Sequence, residues 1–307
     1  MSGASPLVAL FGEALADVFP DRSVPGGAPF NVARHLGLFG VQPLLITRIG
    51  EDALGAALLQ EMTRLELDVS GFQRDPELPT GQVRVVLENG GHRFDILPDQ
   101  AYDRVCADAT RDILARHTPR IGYFGTLAQR SPASRRAAQA FVESVACPLF
   151  LDINLRPPWI DRDSLGESLA AADIVKLNDE ELAAVAALFG LRETDGHALS
   201  ARLMQAFELD QVLVTCGAEG SWLQQRNGAV LRAPPPPQAL QIVDTVGAGD
   251  AYAAVFLIGS LMGWEPMVTL QRAGDYAAAI CTVRGAVPPD RAFVERFSQA
   301  WSSTAAQ

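Results

Sequence analysis

The stretch Asp244-Thr245-Val246-Gly247-Ala248-Gly249-Asp250 places two kinds of chemistry side by side. Gly247, Ala248 and Gly249 leave backbone N–H groups open to a ligand, because no large side chain stands in the way. The apolar run Ala251-Tyr252-Ala253-Ala254-Val255-Phe256-Leu257 reads as a helix whose positive end faces the same turn. Such a turn attracts phosphate. Asp250 sets a carboxylate beside that anion site. Two readings are open at this point. Either Asp250 caps the helix and the glycines only make a turn, or the carboxylate acts on a group that meets a phosphate there.

Five other segments carry groups of similar promise. Pro25-Gly26-Gly27-Ala28-Pro29-Phe30-Asn31 precedes a helical pattern through Val32, Ala33, Leu36 and Phe39, stopped by Gly40. Asn31 falls in its first turn, as a cap or as an amide facing a ligand. Asp17 interrupts an apolar segment just beyond the first strand; as a plain turn carboxylate it would face water. Asp152, Asn154 and Arg156 are spaced two apart, so an extended chain would project all three from one side. They lie at a strand's carboxyl end, where open α/β sheets bind ligands, although a structural Asp–Arg pair would also explain them. Asn178 is placed to cap a helix with Asp179, Glu180 and Glu181 in its first turn. Those acids complement the helix dipole or hold Mg²⁺ through water. Thr215-x-Gly217-x-x-Gly220 ends a strand in a glycine-rich loop.

Positioning these groups takes an alternating series of strands and helices. Leu7–Phe11, Leu44–Gly50, Ile121–Phe124, Leu149–Asn154, Ile174–Asn178 and Gln211–Thr215 read as buried strands. Helical patterns cover 52–65, 103–117, 132–145, 179–189, 267–283 and 290–301, and the opening motif reads as a strand end, a turn and a helix to about Met262. Gly81–Glu88 and Arg93–Leu97 flank Asn89-Gly90-Gly91-His92, a strong hairpin signal. Ser221–Gln225 and Ala229–Ala233 form a second hairpin. The alternation predicts an α/β layered fold with a mainly parallel sheet, and the first hairpin predicts a small β lid.

The 307 residues carry 25 basic and 36 acidic side chains, a net charge of −11. No basic stripe is present, which argues against nucleic acid and anionic membranes as partners. The N-terminal residues lack a basic segment and the following apolar run is too short for a secretory leader, so a cytoplasmic protein is expected. Cys106, Cys147, Cys216 and Cys281 are scattered and do not cluster with the four histidines, which gives zinc and disulfides little support. There is no G-x-x-x-x-G-K-[ST] loop, no first-strand dinucleotide motif and no G-x-S-x-G elbow.

Gly26-Gly27-x-x-x-Asn31, Asn178-x-x-Glu181, Thr215-x-Gly217-x-x-Gly220 and Asp244-Thr245-x-Gly247-Ala248-Gly249-Asp250 occur in this order. Together they resemble the ribokinase-like (PfkB) carbohydrate kinases over nearly the whole chain. The wording Gly12-Glu13-Ala14-Leu15-x-Asp17, Gly26-Gly27-Ala28-Pro29-x-Asn31 and Asp152-x-Asn154-Leu155-Arg156 is most similar to fructokinases. The resemblance implies a single three-layer α/β/α kinase domain over 1–307, with a discontinuous lid at about 13–25 and 80–97. It implies ATP-dependent transfer of the γ-phosphate to a primary hydroxyl of a small sugar. Fructose leads, ahead of 2-keto-3-deoxygluconate, ribose or a nucleoside, and a non-catalytic sugar-binding regulator is the distant alternative.

In that frame Asp250 would be the general base, and the N–H groups of Gly247, Ala248 and Gly249 the anion hole. Asp17, Gly26, Gly27, Asn31 and Arg156 would bind the acceptor. Asn178, Thr215, Gly217 and Gly220, with Gly247 and Gly249, would line the ATP site. Glu181 would organise Mg²⁺ through water. Asp244 is a candidate K⁺ ligand, although Gly285-Ala286-Val287 offers no hydroxyl where some relatives have serine. The lid would exclude competing water, and a homodimer through the lid is expected.

Overall fold

A computed structural model describes residues 5–88, 91–235 and 241–304. The Asn89-Gly90 pair of the first hairpin and the end of the proline run, from Pro236, lie outside the described residues. The chain divides into two compact units. One comprises 7–30 and 43–172; the other comprises 1–6, 31–42 and 173–307. Together their elements make a three-layer α/β/α fold with a large, mostly parallel sheet and a small second sheet.

The first unit opens with β1 (Leu7–Phe11), whose residues 8–11 are fully buried. A continuous apolar run of this kind suits a parallel strand covered on both faces. β2 (Leu15–Val18) and β3 (Ser23–Gly26) follow, then the start of helix α1 (Ala28–Leu38). After β4 (Gln42–Gly50) comes α2 (Ala53–Arg64), started by Asp52, whose carboxylate accepts the Gly55 N–H at 2.8 Å. Next are β5 (Phe72–Asp75), β6 (Gly81–Glu88), β7 (Gly91–Ile96) and α3 (Ala107–Leu114). The unit closes with β8 (Ile121–Gly125), α4 (Pro132–Ser144), β9 (Leu149–Asp152) and α5 (Arg162–Ala171). Its main-sheet strands run in the order β5-β4-β1-β8-β9. The pairs β4–β5, β1–β8 and β8–β9 are parallel, with Val8 opposite Ile121 and Gly122 opposite Leu149. The small sheet has the order β3-β2-β6-β7 and is antiparallel except for the β2–β6 pair.

The second unit takes α1 from Asn31 onward. It then has β10 (Ile174–Asn178), α6 (Asp179–Leu188), α7 (Gly196–Ala206), β11 (Gln211–Thr215), β12 (Ser221–Gln225) and β13 (Val230–Ala233). β10 and β11 are parallel, while β12 and β13 add antiparallel strands beyond them. Helices α8 (Ala248–Met262), α9 (Pro266–Ile280) and α10 (Arg291–Thr304) complete the chain. Every residue of α8 from Ala251 to Gly259 is buried, so this helix is apolar all round and forms a core element. Gly259 lets α9 approach: a Cβ there would lie 2.5 Å from a Thr269 methyl.

Three expectations need correction. β9 ends at Asp152, so Asn154 and Arg156 lie in a loop and the three side chains do not share one extended face. Pro157 and Pro158 follow at once; neither has an N–H for a ladder. The helix expected from Asp103 begins at Ala107, because residues 101–104 form a 3₁₀ turn. There the Asp103 carboxylate is held by Arg130 at 2.7 Å instead of facing solvent. The Asp244 stretch does not open as the end of a strand: among the described residues, 241–245 are irregular.

Candidate active site

The glycine turn is built by strain that only glycine tolerates. Gly247 caps α8 with φ +79°, and no side chain caps the helix in its place. A Cβ on Gly247 would sit 2.4 Å from the Ala286 Cβ and 2.5 Å from its Cα. The turn therefore rests directly on the Gly285–Ala286 loop. Asp244 ties the two together, its carboxylate accepting the N–H of Val246 and the N–H of Gly285, each at 3.1 Å. The backbone N–H groups of Val243 and Asp244 bond the Cys281 carbonyl at the end of α9.

Asp250 stands in the first turn of α8, half-buried. The Asn31 amide donates to its Oδ2 at 2.8 Å, across 219 residues of sequence. Arg34, one turn further along α1, donates to Asn31 Oδ1 at 3.5 Å. This fixes which end of the Asn31 amide faces the carboxylate. His35, on the same helix, is fully buried. Its Nε2 lies 3.0 Å from the Ala286 carbonyl and its Nδ1 3.0 Å from the Tyr276 hydroxyl. A carbonyl can only accept, so Nε2 carries the proton and Nδ1 accepts from Tyr276. Burial pushes the imidazole down to about 3, against a smaller opposing effect of the Ala286 carbonyl, and keeps it neutral. Helix α1 thus holds the carboxylate through Asn31 and the loop under the anion turn through His35.

At the carboxyl ends of β10 and β11, Asn178 and Thr215 are direct partners in the parallel register. Asn178 and Glu181 form a reciprocal capping box. The Asn178 side chain accepts the Glu181 N–H at 2.7 Å, and Glu181 Oε2 accepts the Asn178 N–H at 2.9 Å. The Thr215 strand turns at Gly217 (φ +53°) and Gly220 (φ +93°), and the Cys216 N–H bonds the Gly220 carbonyl at 2.8 Å. A Cβ on Gly220 would lie 2.6 Å from the Ala233 carbonyl, so the close packing of β13 requires glycine there.

In the first unit Asp17 lies on β2 of the small sheet and Gly26 on the neighbouring β3. A Cβ on Gly26 would come within 2.9 Å of Asp17 Oδ2, and one on Gly27 within 2.6 Å of the Glu13 carbonyl. Gly26 thus leaves the Asp17 carboxylate room, and Gly27 lets the backbone pass the Glu13 carbonyl. Burial pushes that carboxyl up to about 6, partly opposed by the Arg156 guanidinium. Arg156 is exposed and shares a pocket with Asn154, Trp159 and Asp161. Asp152 is buried and accepts from the Tyr123 hydroxyl at 3.1 Å, a structural role within the sheet.

Sequence reasoning missed several supporting groups: Glu13, whose Oε1 accepts the Ala28 N–H at 3.3 Å, and Arg34, His35 and Lys176. Lys176 carried a readable signal, a charge inside the apolar strand Ile174-Val175-Lys176-Leu177. His35 and Arg34 carried none, since their partners lie elsewhere in the chain or merely one turn away on α1.

Among the described residues no three His, Cys, Asp or Glu side chains gather into a metal-holding group. Nor, among them, is any helix long and apolar enough to cross a membrane. All four cysteines are free thiols.

The layered fold thus carries a glycine turn at the start of α8 with the Asp250 carboxylate in the helix's first turn. Residues 8–292 match the pfkB family carbohydrate kinases, and the chain belongs to that family. It is a carbohydrate kinase. A fructokinase of Klebsiella pneumoniae is 30% identical over 262 residues, which cover 81% of this chain and 83% of the relative. An uncharacterised sugar kinase of Pyrococcus horikoshii, solved in complex with ATP, is 26% identical with a TM-score of 0.75, covering 91% of this chain and 93% of that one. The 2-dehydro-3-deoxygluconokinase of Thermotoga maritima shares the fold at a TM-score of 0.81 and 16% identity, over 96% and 98% of the two chains.

Proposed function

We propose that this kinase phosphorylates fructose at a primary hydroxyl, with ATP as donor and Asp250 as general base. The observation that carries the reading is the 2.8 Å bond from Asn31 to Asp250, which joins two distant motifs at the mouth of the glycine turn. Asp250 takes the proton as the acceptor oxygen attacks the γ-phosphorus. The O–P bond forms, the bond to the β-phosphate oxygen breaks, and the electron pair leaves with ADP. Base catalysis of this kind contributes about 10²–10⁴ in rate. The N–H groups of Gly247, Ala248 and Gly249 stabilise charge on the transferring group. Asn31 orients the carboxylate.

Asp17, Gly26, Gly27 and Arg156 bind the acceptor in this proposal. A carboxylate that accepts two hydroxyl hydrogen bonds rejects sugars that leave it unpaired. Because Asp17 and Gly26 belong to the small sheet, its movement as a lid would carry the acceptor contacts with it. Asn178, Thr215, Gly217 and Gly220 line the ATP site. Support for ATP as donor comes from the Pyrococcus horikoshii relative, whose structure holds ATP.

The residues suit Mg²⁺ held through water. Glu181 is one carboxylate, already fixed by the Asn178 N–H, and Mg²⁺ commonly keeps several waters around one or two carboxylates. When bound, the ion would neutralise phosphate charge. Asp244 suits K⁺ less directly, because each of its carboxylate oxygens already braces a loop N–H. We assign K⁺, a cytoplasmic location and a homodimer through the open β3 or β7 edge of the small sheet to the same proposal.

A second acceptor class, 2-keto-3-deoxygluconate, has one observation in its favour: the exposed Arg156 guanidinium, which could meet a carboxylate. A panel of fructose, ribose, 2-keto-3-deoxygluconate and nucleosides, read by ADP release, separates the candidates. Fructose should give the highest kcat/KM. A higher value for any other member overturns the fructose assignment.

A further inference from the structure

We propose that Arg130 is a positioning residue for acceptor binding, whose guanidinium holds the small-sheet row carrying Asp17 and the loop carrying Arg156 in one register. The inference rests on the reading of Asp17 and Arg156 as acceptor ligands. The two belong to separate elements, Asp17 to β2 and Arg156 to the loop after β9. Both must nevertheless meet one small sugar, and the Arg156 guanidinium acts on the Asp17 carboxyl. Their spacing has to be fixed by a group that reaches both elements.

On the Asp17 side the link runs straight across the small sheet. Asp17 stands opposite Val83 in the β2–β6 pair, and Val83 opposite Ile96 in the β6–β7 pair. Leu97 follows, and Arg130 Nη2 donates to its carbonyl at 2.6 Å. The Asp103 carboxylate accepts two further bonds from the same guanidinium, Nε to Oδ1 and Nη2 to Oδ2, each at 2.7 Å. Tyr102, beside Asp103, supports the foot of the sheet. A Cβ on Gly81, at the start of β6, would lie 2.7 Å from the Tyr102 ring. The guanidinium carbon stands 4.8 Å from the centre of that ring.

On the Arg156 side the link is a short, stiff turn. The Trp159 N–H bonds the Arg156 carbonyl at 2.7 Å. Between them stand Pro157 and Pro158, whose rings fix φ. The Trp159 ring centre lies 4.5 Å from the Arg130 guanidinium carbon, a cation–π contact. Arg130, Trp159 and Arg156 line the same pocket.

Stability alone is a poor reason for this arrangement. The Arg130 and Asp103 side chains are 4% and 10% exposed, and a buried ion pair often does no better than apolar packing of the same volume. Arg130 Nη1 is also buried without a hydrogen-bond partner, which is a cost. What arginine supplies is aim. Its rigid planar fork takes Asp103 and Leu97 at fixed angles, and its flat faces suit aromatic rings. A lysine ammonium is a point charge and holds no such set in register.

The test uses Trp159→Leu, which keeps apolar bulk and removes the aromatic face, and Arg130→Lys, which keeps a charge beside Asp103 and removes the fork. Circular dichroism and thermal melting establish folding. Kinetics use the acceptor of the panel with the highest kcat/KM, expected to be fructose. In each variant acceptor KM should rise at least about tenfold, the lower range for losing a hydrogen bond to a charged group, while kcat and ATP KM stay within threefold. Trp159→Phe, which restores an aromatic face, should recover at least threefold of that loss. A merely structural role would not couple to Arg156. Positioning does: in an Arg156→Ala background, Trp159→Leu should raise acceptor KM less than threefold further. A folded Trp159→Leu or Arg130→Lys variant with acceptor KM within threefold of the parent overturns the proposal. Full additivity with Arg156→Ala overturns it too, as does failure of both variants to fold. Asp17→Asn and Arg156→Ala, measured singly, separate the failures. If either leaves acceptor KM unchanged, the reading of the acceptor site is wrong; if both raise it while the Trp159 and Arg130 variants are unimpaired, only the role of Arg130 falls.

Discussion

Replacing Asp17 by Asn should move stability and acceptor binding in opposite directions. The Asp17 carboxyl stands at about 6 against an ordinary 3.8, chiefly because burial disfavours its charge, with Arg156 pulling the other way. The folded-state value lies above the unfolded one, so the folded protein binds the proton more tightly. Stability from this group is therefore fully present below about pH 4 and is lost as the pH rises through 6. The difference corresponds to about 3 kcal/mol, an upper bound because part of the carboxylate meets solvent. Asparagine keeps the shape and removes the charge. Its melting temperature relative to the parent should accordingly rise between pH 4.5 and pH 8, by roughly 3–6 °C if the full amount is recovered. Over the same change acceptor KM should increase about 10–100-fold, the range for losing a hydrogen bond to a charged group. ATP KM should stay within threefold. Differential scanning calorimetry at the two pH values and steady-state kinetics at pH 8 read both sides. A variant whose acceptor KM is unchanged, or whose relative stability falls with rising pH, would refute the reasoning.

Gly247→Ala forces a positive φ on alanine, a penalty of roughly 1–2 kcal/mol, and drives its methyl into Ala286. Its kcat should drop at least 10²-fold, with the Kd for ADP changed much less, as calorimetric titration would show. His35→Leu removes the bond to the Ala286 carbonyl and should lower kcat more than it raises acceptor KM. His35→Gln, which can still donate from its amide, should recover part of that loss; equal defects in the two variants would deny the loop-holding role. Asn178→Ala removes the cap of α6 and should reduce stability by about 1 kcal/mol while raising ATP KM, as melting and kinetics would report.

The backbone was largely legible because its apolar runs are long and uninterrupted. Leu7–Phe11 and Ala251–Leu257 could only be buried elements, and both are. The capping box at Asn178–Glu181 was legible in part, since its spacing alone puts the carboxylate near the helix start. Elements with mixed surfaces escaped. β5, α5 and α7 carry too few apolar residues for periodicity to separate them from loops. The loop after Asp152 was read as strand because alternation continues through Asn154 and Arg156, while the two prolines that end it come only afterwards. The supporting half of the site was hidden for a different reason. His35, Tyr276 and Ala286 meet across more than two hundred residues, and nothing local to any of them announces the others. Lys176 was visible as a charge within a strand, but its approach to Gly249 was not.

The central claim is that Asp250 deprotonates the acceptor at a turn that binds the transferring phosphate. Asp250→Asn is its most direct test, with ADP release measured in the presence of saturating fructose and ATP binding measured by calorimetry. The account predicts ATP affinity within a fewfold of the parent and a kcat reduced at least about 10²-fold, the lower range for loss of a general base. Turnover close to that of the parent protein, with ATP binding intact, would contradict it.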